Sequence, residues 1–547
     1  MRSGHDPGED DHGERPPGWL AASRAGLYAR RVSDAVVQLE AGRLEGALEG
    51  EVLVLRGVPY ARPPMQGLRW RSPEPHPGWH GRRPAQRFAA SASQNPPIVP
   101  MTRRLLGSPS AGSEDCLTLN VWAPRRKGQP RPVMVWIHGG AFVLGSATTS
   151  LYDGRRLARA GDAIIVTINY RLGALGFLSH PALREGPDAI VPNLGLRDQI
   201  AALEWVRDNI ADLGGDPGNV TIFGESAGAM SVGCLLAAPA ARGLFRRAIL
   251  QSGAASNVSD EATARRVVES LLDELGLPHD VSPERLRALP VGQILAAQQR
   301  ASFKLDFRLG RLPFQPSVDG DLLPAQPLDL LAKQDAPVAE VMLGTNRDEW
   351  RLFLLGDRAL TRLDEAGFRK RMQGILGAVS GPDCEQTLER ALETYGPALG
   401  SVTQRWCAFQ ADRVFHAPAA LLADRLTERG SMVRLYRFDW APPLFGGLTG
   451  AFHGIEIPFV FGTVRDGVLG AALGWQPEVR KLSLHTGRAW LAFAKHGDPT
   501  HEHLPEWPLW SSARRPGLLL GPGGGPAEGL PNATAGFFEP LLRAAAA

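Results

Sequence analysis

Val220 to Gly233 reads VTIFGESAGAMSVG: a short β-branched and aromatic run meets Gly-Glu-Ser-Ala-Gly, and a small-residue helical pattern follows. A sharp strand-to-helix turn with serine at its apex needs glycine on both sides, because a Cβ at either place would crowd the neighbouring strand and helix. Gly224 and Gly228 meet that need. Such a turn holds Ser226 above the sheet edge. The helix behind it aims free N–H groups and its positive dipole end at anything bonded to the serine oxygen. The N–H of Ala227 is then one donor for a developing oxyanion. Gly-x-Ser-x-Gly alone also describes an ordinary glycine-serine turn; the strand before it and the helix after it are what give it weight.

Working outward, the same alternation recurs. PVMVWIHGG (Pro132–Gly140) and DAIIVTINY (Asp162–Tyr170) are near-continuous apolar runs, the pattern of strands buried on both faces of a mostly parallel sheet. GLRDQIAALEWVRDNIADLGG repeats Ile200, Leu203, Trp205, Val206 and Ile210 at helical spacing and stops at Gly214-Gly215. RRAILQS, AEVMLGTN and MVRLYRF are further strands separated by helical segments, so the chain reads as α/β. Residues 1–30 read as a solvated tail and 31–547 as one domain, with strand-poor, helix-prone stretches near 259–313 and 361–425 predicted to cap the sheet. KLSLHTGRAWLAFAKHG reads as a late amphipathic helix, and GPGGGPAEG as a surface loop.

The 547 residues carry 60 Lys and Arg against 57 Asp and Glu, a net charge of only +3 with no long basic run, which gives a nucleic-acid partner no electrostatic footprint. No stretch approaches the roughly 18 uninterrupted apolar residues of a membrane span. The start, MRSGHDPGEDDHGERPPGW, lacks the basic and apolar regions of an export signal. Cys116, Cys234, Cys384 and Cys407 have neither CxxC spacing nor disulfide-scaffold density, so they are expected as free thiols in a cytoplasmic protein. The sequons at Asn219, Asn257 and Asn532 read as chance matches there.

A serine hydroxyl is a poor nucleophile at neutral pH, so Ser226 requires a base to take its proton and a carboxylate to orient that base. Of 13 histidines, His453 in AFHGIEIPFVFG follows a strand and loop late in the chain, in the order Ser, acid, His. A loop histidine with satisfied hydrogen bonds fits that position equally well. For the acid, Glu349 in VMLGTNRDEW sits just past an apolar strand; Asp348 is its rival on spacing alone.

Beyond the serine motif, GVPYARPPMQGLRW, SEDCLTLNVWAP, WIHGGAF, GTNRDEW, HGIEIPFVFG and FAKHGDP occur in one order between about Glu40 and Leu542. Together they resemble the type-B carboxylesterase family, which includes bacterial para-nitrobenzyl esterases, vertebrate carboxylesterases and cholinesterases. The resemblance implies an α/β-hydrolase fold, a large mostly parallel twisted sheet flanked by helices. It implies Ser226 as nucleophile, Glu349 as acid and His453 as general base. It also implies an oxyanion hole from the N–H groups of Gly140, Ala141 and Ala227, and Ser252 as a support for the Glu/His pair. Where Ala141 stands the family often has a third glycine; alanine still carries the N–H. No cysteine precedes Cys116, and Ser93 lies near the expected place, so the bridge of extracellular members is absent. Residues 94–112 contain no aromatic residue, which disfavours choline esters, and Arg56 stands where an aromatic residue is common.

The expected activity is two-step ester hydrolysis on a small-molecule substrate, with no metal or cofactor, by a monomer or small homo-oligomer that binds neither nucleic acid nor membrane. His138 is expected to be structural, and HGIE lacks the second histidine of a metal pair. The alternatives are a non-catalytic interaction protein on the same fold, or a lipase, amidase or thioesterase using the same machinery. Phe303, Phe307, Phe314 and Phe353 are candidates for an acyl pocket or for core, with core favoured for at least half.

Overall fold

The computed structural model describes residues 35–96, 112–125, 128–305, 312–354, 360, 362–377, 383–443, 447–466, 470 and 476–545. Phe307 lies outside them. Eleven strands form the main sheet: β1 (Ala47–Glu49), β2 (Val52–Pro59), β3 (Thr118–Pro124), β4 (Arg131–Ile137), β5 (Ile164–Ile168), β6 (Gly215–Glu225), β7 (Arg247–Gln251), β8 (Glu340–Asn346), β9 (Met432–Phe438), β10 (Gly517–Leu520) and β11 (Pro526–Ala527). Their spatial order is β1-β2-β3-β5-β4-β6-β7-β8-β9-β10-β11. Every pairing from β5 through β10 is parallel, and the outer pairings are antiparallel.

Burial explains the apolar runs. Every residue of β5, IIVTI, is buried, as it must be for a strand with neighbours on both edges and helices over both faces. Removing one such Ile or Val side chain from water contributes about 1.5–3 kcal/mol. The predicted helix after β5 runs Leu194–Asn209, then tightens into a single turn, Ile210–Leu213, which Gly214 ends at φ 82°. The helix behind Ser226, Ala227–Ala237, is buried on all sides, as AGAMSVGCLLA demands. The late helix runs Pro477–His496 and stops at Gly497, φ 77°.

Within the two helix-prone stretches lie Glu261–Leu275 and Val291–Lys304, then Glu365–Leu376, Cys384–Thr394 and Val402–Ala411. A π-helical turn, Asp412–His416, leads into Ala417–Glu428, which packs on β8 and β9. Among the described residues no helix is long and apolar enough to cross a membrane. At least half of the four phenylalanines are expected to be core; of the three that are described, Phe314 is fully buried. Phe303 is 42% exposed near the end of its helix, and Phe353 is 41% exposed because it sits on the short turn Glu349–Leu354 beyond the sheet edge.

Candidate active site

Parallel register brings the carboxyl ends of β4, β6, β7 and β8 to one level: Gly224 pairs with Ile137, Glu225 with Gln251, and Gln251 with Gly344. Chains leaving these strands therefore emerge side by side, and the candidate residues are found there. Ser226 follows β6 at φ 56°, ψ −125°, a conformation that ordinary side chains avoid. Its N–H donates to the Gln251 carbonyl (2.9 Å) and its carbonyl accepts from the Met230 N–H (2.9 Å), so the turn is bonded on both sides. A Cβ on Gly224 would lie 2.6 Å from the Gly228 carbonyl carbon, and one on Gly228 would lie 2.0 Å from the Ile137 oxygen. Only hydrogen fits at either place.

The glycine-rich loop after β4 closes on this turn. A Cβ on Gly139 would come within 2.9 Å of the Ser226 Cβ. Gly140 (φ 119°) and Ala141 (φ 55°) curl the loop, while the amides of Val143 and Leu144 bond the Gly140 carbonyl. Among the described residues no acceptor takes up the amides of Gly140 or Ala141, and Ala227, first residue of its helix, has no intrahelical acceptor. His138 is buried and stacked on Tyr170 at 4.5 Å; burial pulls its imidazole down to about 4, so it is neutral.

The two candidate acids separate cleanly. Asp348 accepts from the Ala451 amide at 2.9 Å and meets Arg347 and Arg351, tying two loops together. Glu349, fully buried, places Oε2 2.7 Å from His453 Nδ1, while its Oε1 accepts from the Asn346 amide at 2.7 Å. Ser252 is fully buried at φ 51°, but its hydroxyl makes no hydrogen bond among the described residues; the direct support of Glu349 is Asn346.

His453 Nε2 lies 3.0 Å from Glu225 Oε1, and the Ser226 hydroxyl, at the half-buried apex, makes no hydrogen bond among the described residues. Glu225 and Glu456 stand at the candidate site and were not picked out from the sequence. Glu456 accepts from Gln251 Nε2 (3.0 Å) and Asn346 Nδ2 (2.7 Å). Three carboxylates thus surround one imidazole. Burial pulls His453 down, but Glu225 first, then Glu349 and Glu456, outweigh it and hold it above its ordinary value. Burial pushes Glu225 and Glu456 up in turn. The one signal in the sequence was a carboxylate beside the serine, ending a buried strand. Phe415 and Phe353 wall the imidazole at 4.6 and 5.4 Å. Among the described residues no group of His, Cys, Asp and Glu could hold a metal ion.

A strained serine at a strand-to-helix elbow, a glycine loop with open amides and a His–Glu pair define an α/β hydrolase site. Residues 33–527 match the sequence model of the Carboxylesterase family. The chain is 36% identical over 490 residues to the para-nitrobenzyl esterase of Bacillus subtilis, covering 89% of this chain and 94% of that one. It is 36% identical over 498 residues to the phenmedipham hydrolase of Pseudarthrobacter oxydans, covering 89% and 95%. A solved structure of a PNB esterase superposes with a TM-score of 0.82 at 34% identity, covering 92% of this chain and 99% of that chain. The chain belongs to the carboxylesterase family, has the α/β-hydrolase fold and is a carboxylic ester hydrolase.

Proposed function

We propose that this esterase works through a Ser226–His453–Glu349 triad and an acyl-enzyme. His453 Nε2 takes the Ser226 proton as Oγ attacks the ester carbonyl; the new oxyanion is bound by the amides of Gly140, Ala141 and Ala227. Collapse breaks the C–O bond, and the proton passes from His453 to the departing alkoxide. Water, deprotonated by the same imidazole, then attacks the acyl carbon, and the proton returns to Ser226 Oγ as the acid leaves. Each donor of such a hole is worth roughly two to three orders of magnitude in rate. The observation that carries the reading is the Ser226 elbow packed against a loop of open amides, with the His453–Glu349 bond of 2.7 Å on the same sheet edge. The substrate is a small-molecule ester, and the enzyme is a cofactor-independent cytoplasmic monomer or small homo-oligomer that binds neither nucleic acid nor membrane. Four free thiols, three of them buried, support a reducing compartment.

The experiment is covalent trapping. A fluorophosphonate should block hydrolysis of a short-chain nitrophenyl ester and add to Ser226 at one equivalent; modification at another residue, or inhibition without modification, would sink the proposal.

Glu225 makes the pH profile informative. Nε2 in contact with Glu225 favours the imidazolium, which cannot accept the serine proton. Removing the negative charge in Glu225→Gln therefore lowers the His453 pKa and moves the acid limb of kcat/KM to lower pH by about 1 unit. An acid limb that stays in place would show that the two groups do not share an ion pair.

A further inference from the structure

Behind Glu349 lies a second buried acid–imidazole pair that the proposed mechanism does not use. Asp412 and His416 stand at the two ends of the π-helical turn Asp412–His416, closed by the Ala417 amide on the Asp412 carbonyl. Single π turns of this kind are rare and occur frequently at functional sites. His416 is 1% exposed and Asp412 fully buried. His416 Nδ1 is 2.7 Å from Asp412 Oδ1, and its Nε2 is 3.0 Å from the carbonyl oxygen of Asn346. Asn346 is the residue whose amide holds Glu349 Oε1 and whose side chain holds Glu456 Oε2. The preceding residue on the turn, Phe415, packs on the His453 ring at 4.6 Å.

We infer that Asp412–His416 is a positioning pair for the ester hydrolase site: the imidazole, oriented by Asp412, donates from Nε2 to the Asn346 carbonyl and so fixes the turn that aims Glu349 at His453. The inference rests on the triad reading above. Two observations support it besides the chain of contacts. Asp412 is itself held from the far side, by the hydroxyls of Tyr395 (2.9 Å) and Thr534, so it cannot turn away from the imidazole. The same turn also sets the Phe415 wall, so one local distortion of the helix positions both the acid and the base.

The groups facing His416 are Asp412 on its own turn, and the Asn346 carbonyl and Glu349 from the segment after β8; Glu456 stands beyond Asn346. Burial opposes the charged imidazole, but Asp412 foremost outweighs it and lifts its pKa. Both ring nitrogens face acceptors, Asp412 Oδ1 and the Asn346 carbonyl oxygen, so each carries a proton, and the resulting cation repels the imidazolium of His453 through Glu349. Loss of that cation therefore raises the His453 pKa.

Two substitutions in the full chain test this. His416→Leu removes donor and charge; His416→Gln keeps an amide donor in place of Nε2 but no charge. Active sites are counted by fluorophosphonate titration, so unfolded protein does not enter kcat. His416→Leu should lose at least about tenfold in kcat with KM changed less than about twofold, the pattern of a transition-state interaction. His416→Gln should regain most of that kcat while its acid limb moves to higher pH by roughly half a unit. The inference is overturned if His416→Leu keeps wild-type kcat, or if the two variants lose equally with the acid limb unmoved. Should His416→Leu not fold, the His416→Gln profile decides alone, and an unmoved limb overturns it. If wild-type protein neither turns over ester nor reacts with the phosphonate, it is the triad reading that has failed.

Discussion

Ser226→Ala should lower kcat for a short-chain nitrophenyl ester by five orders of magnitude or more, while leaving the fold intact. The size follows from what the hydroxyl does: it is the atom that forms the acyl bond. In hydrolases of this logic, removing the serine alone costs about as much as removing the whole triad. What survives is the roughly 10³–10⁴-fold advantage over water that binding and the oxyanion amides supply. Stability should not follow activity down. The hydroxyl makes no hydrogen bond among the described residues, so alanine orphans no buried partner, and the φ of 56° is equally strained for either side chain. The unfolding free energy should therefore stay within about 0.5 kcal/mol of wild type. Urea denaturation and single-turnover kinetics on the same preparation separate the two effects. Turnover within tenfold of wild type would remove Ser226 from the mechanism.

What could be read before the structure, and what could not, divides by the range of the physics involved. The elbow was legible because its requirements are local: two glycines flanking a serine, an apolar strand before them and small residues after. The buried strands were legible for the same reason. Asp348 and Glu349 could not be told apart by spacing, since adjacent residues on a tight turn leave it in different directions. The structure separates them because Asp348 is captured by the Ala451 amide and two arginines, leaving Glu349 to face His453. Glu225 and Glu456 were invisible as partners of His453. Their meaning arises only when the chain closes, as when Gln251 and Glu456, 205 residues apart, come within 3.0 Å. The π turn at Asp412–His416 was hidden as well, inside a segment whose composition is simply helical. The phenylalanines show the limit of composition from the other side. Phe314 follows the rule that large apolar residues are core, whereas Phe353 is left 41% exposed against the ring of His453.

Gly228→Ala should be severely damaging, costing about 3 kcal/mol or more. The added Cβ would lie 2.0 Å from the Ile137 oxygen, 2.8 Å from its carbonyl carbon and 2.9 Å from the His138 oxygen. All three are backbone atoms of the end of β4 and the glycine loop, so no rotamer change relieves the contact. The helix Ala227–Ala237 would have to lift off the sheet. It is buried along its whole length, so lifting it opens a void beneath while crowding what lies above. Overpacking alone costs typically 1–3 kcal/mol, and the void adds to it. Activity should fall even in molecules that still fold. The Ala227 amide moves with the helix start, and a displacement of about 1 Å at a reacting centre costs on the order of 100-fold. Gly374 supplies the contrast, because it lies in the helix Glu365–Leu376 with nothing within 4 Å of an added Cβ. Gly374→Ala should stabilise by about 0.5–1 kcal/mol through helix propensity and leave kcat alone. A Gly228→Ala protein with the urea midpoint and kcat of wild type would mean that the elbow does not bear on the β4 edge as described. A loss in both, set against a gain in Gly374→Ala, ties the rate directly to the close approach of the serine's helix to the end of β4.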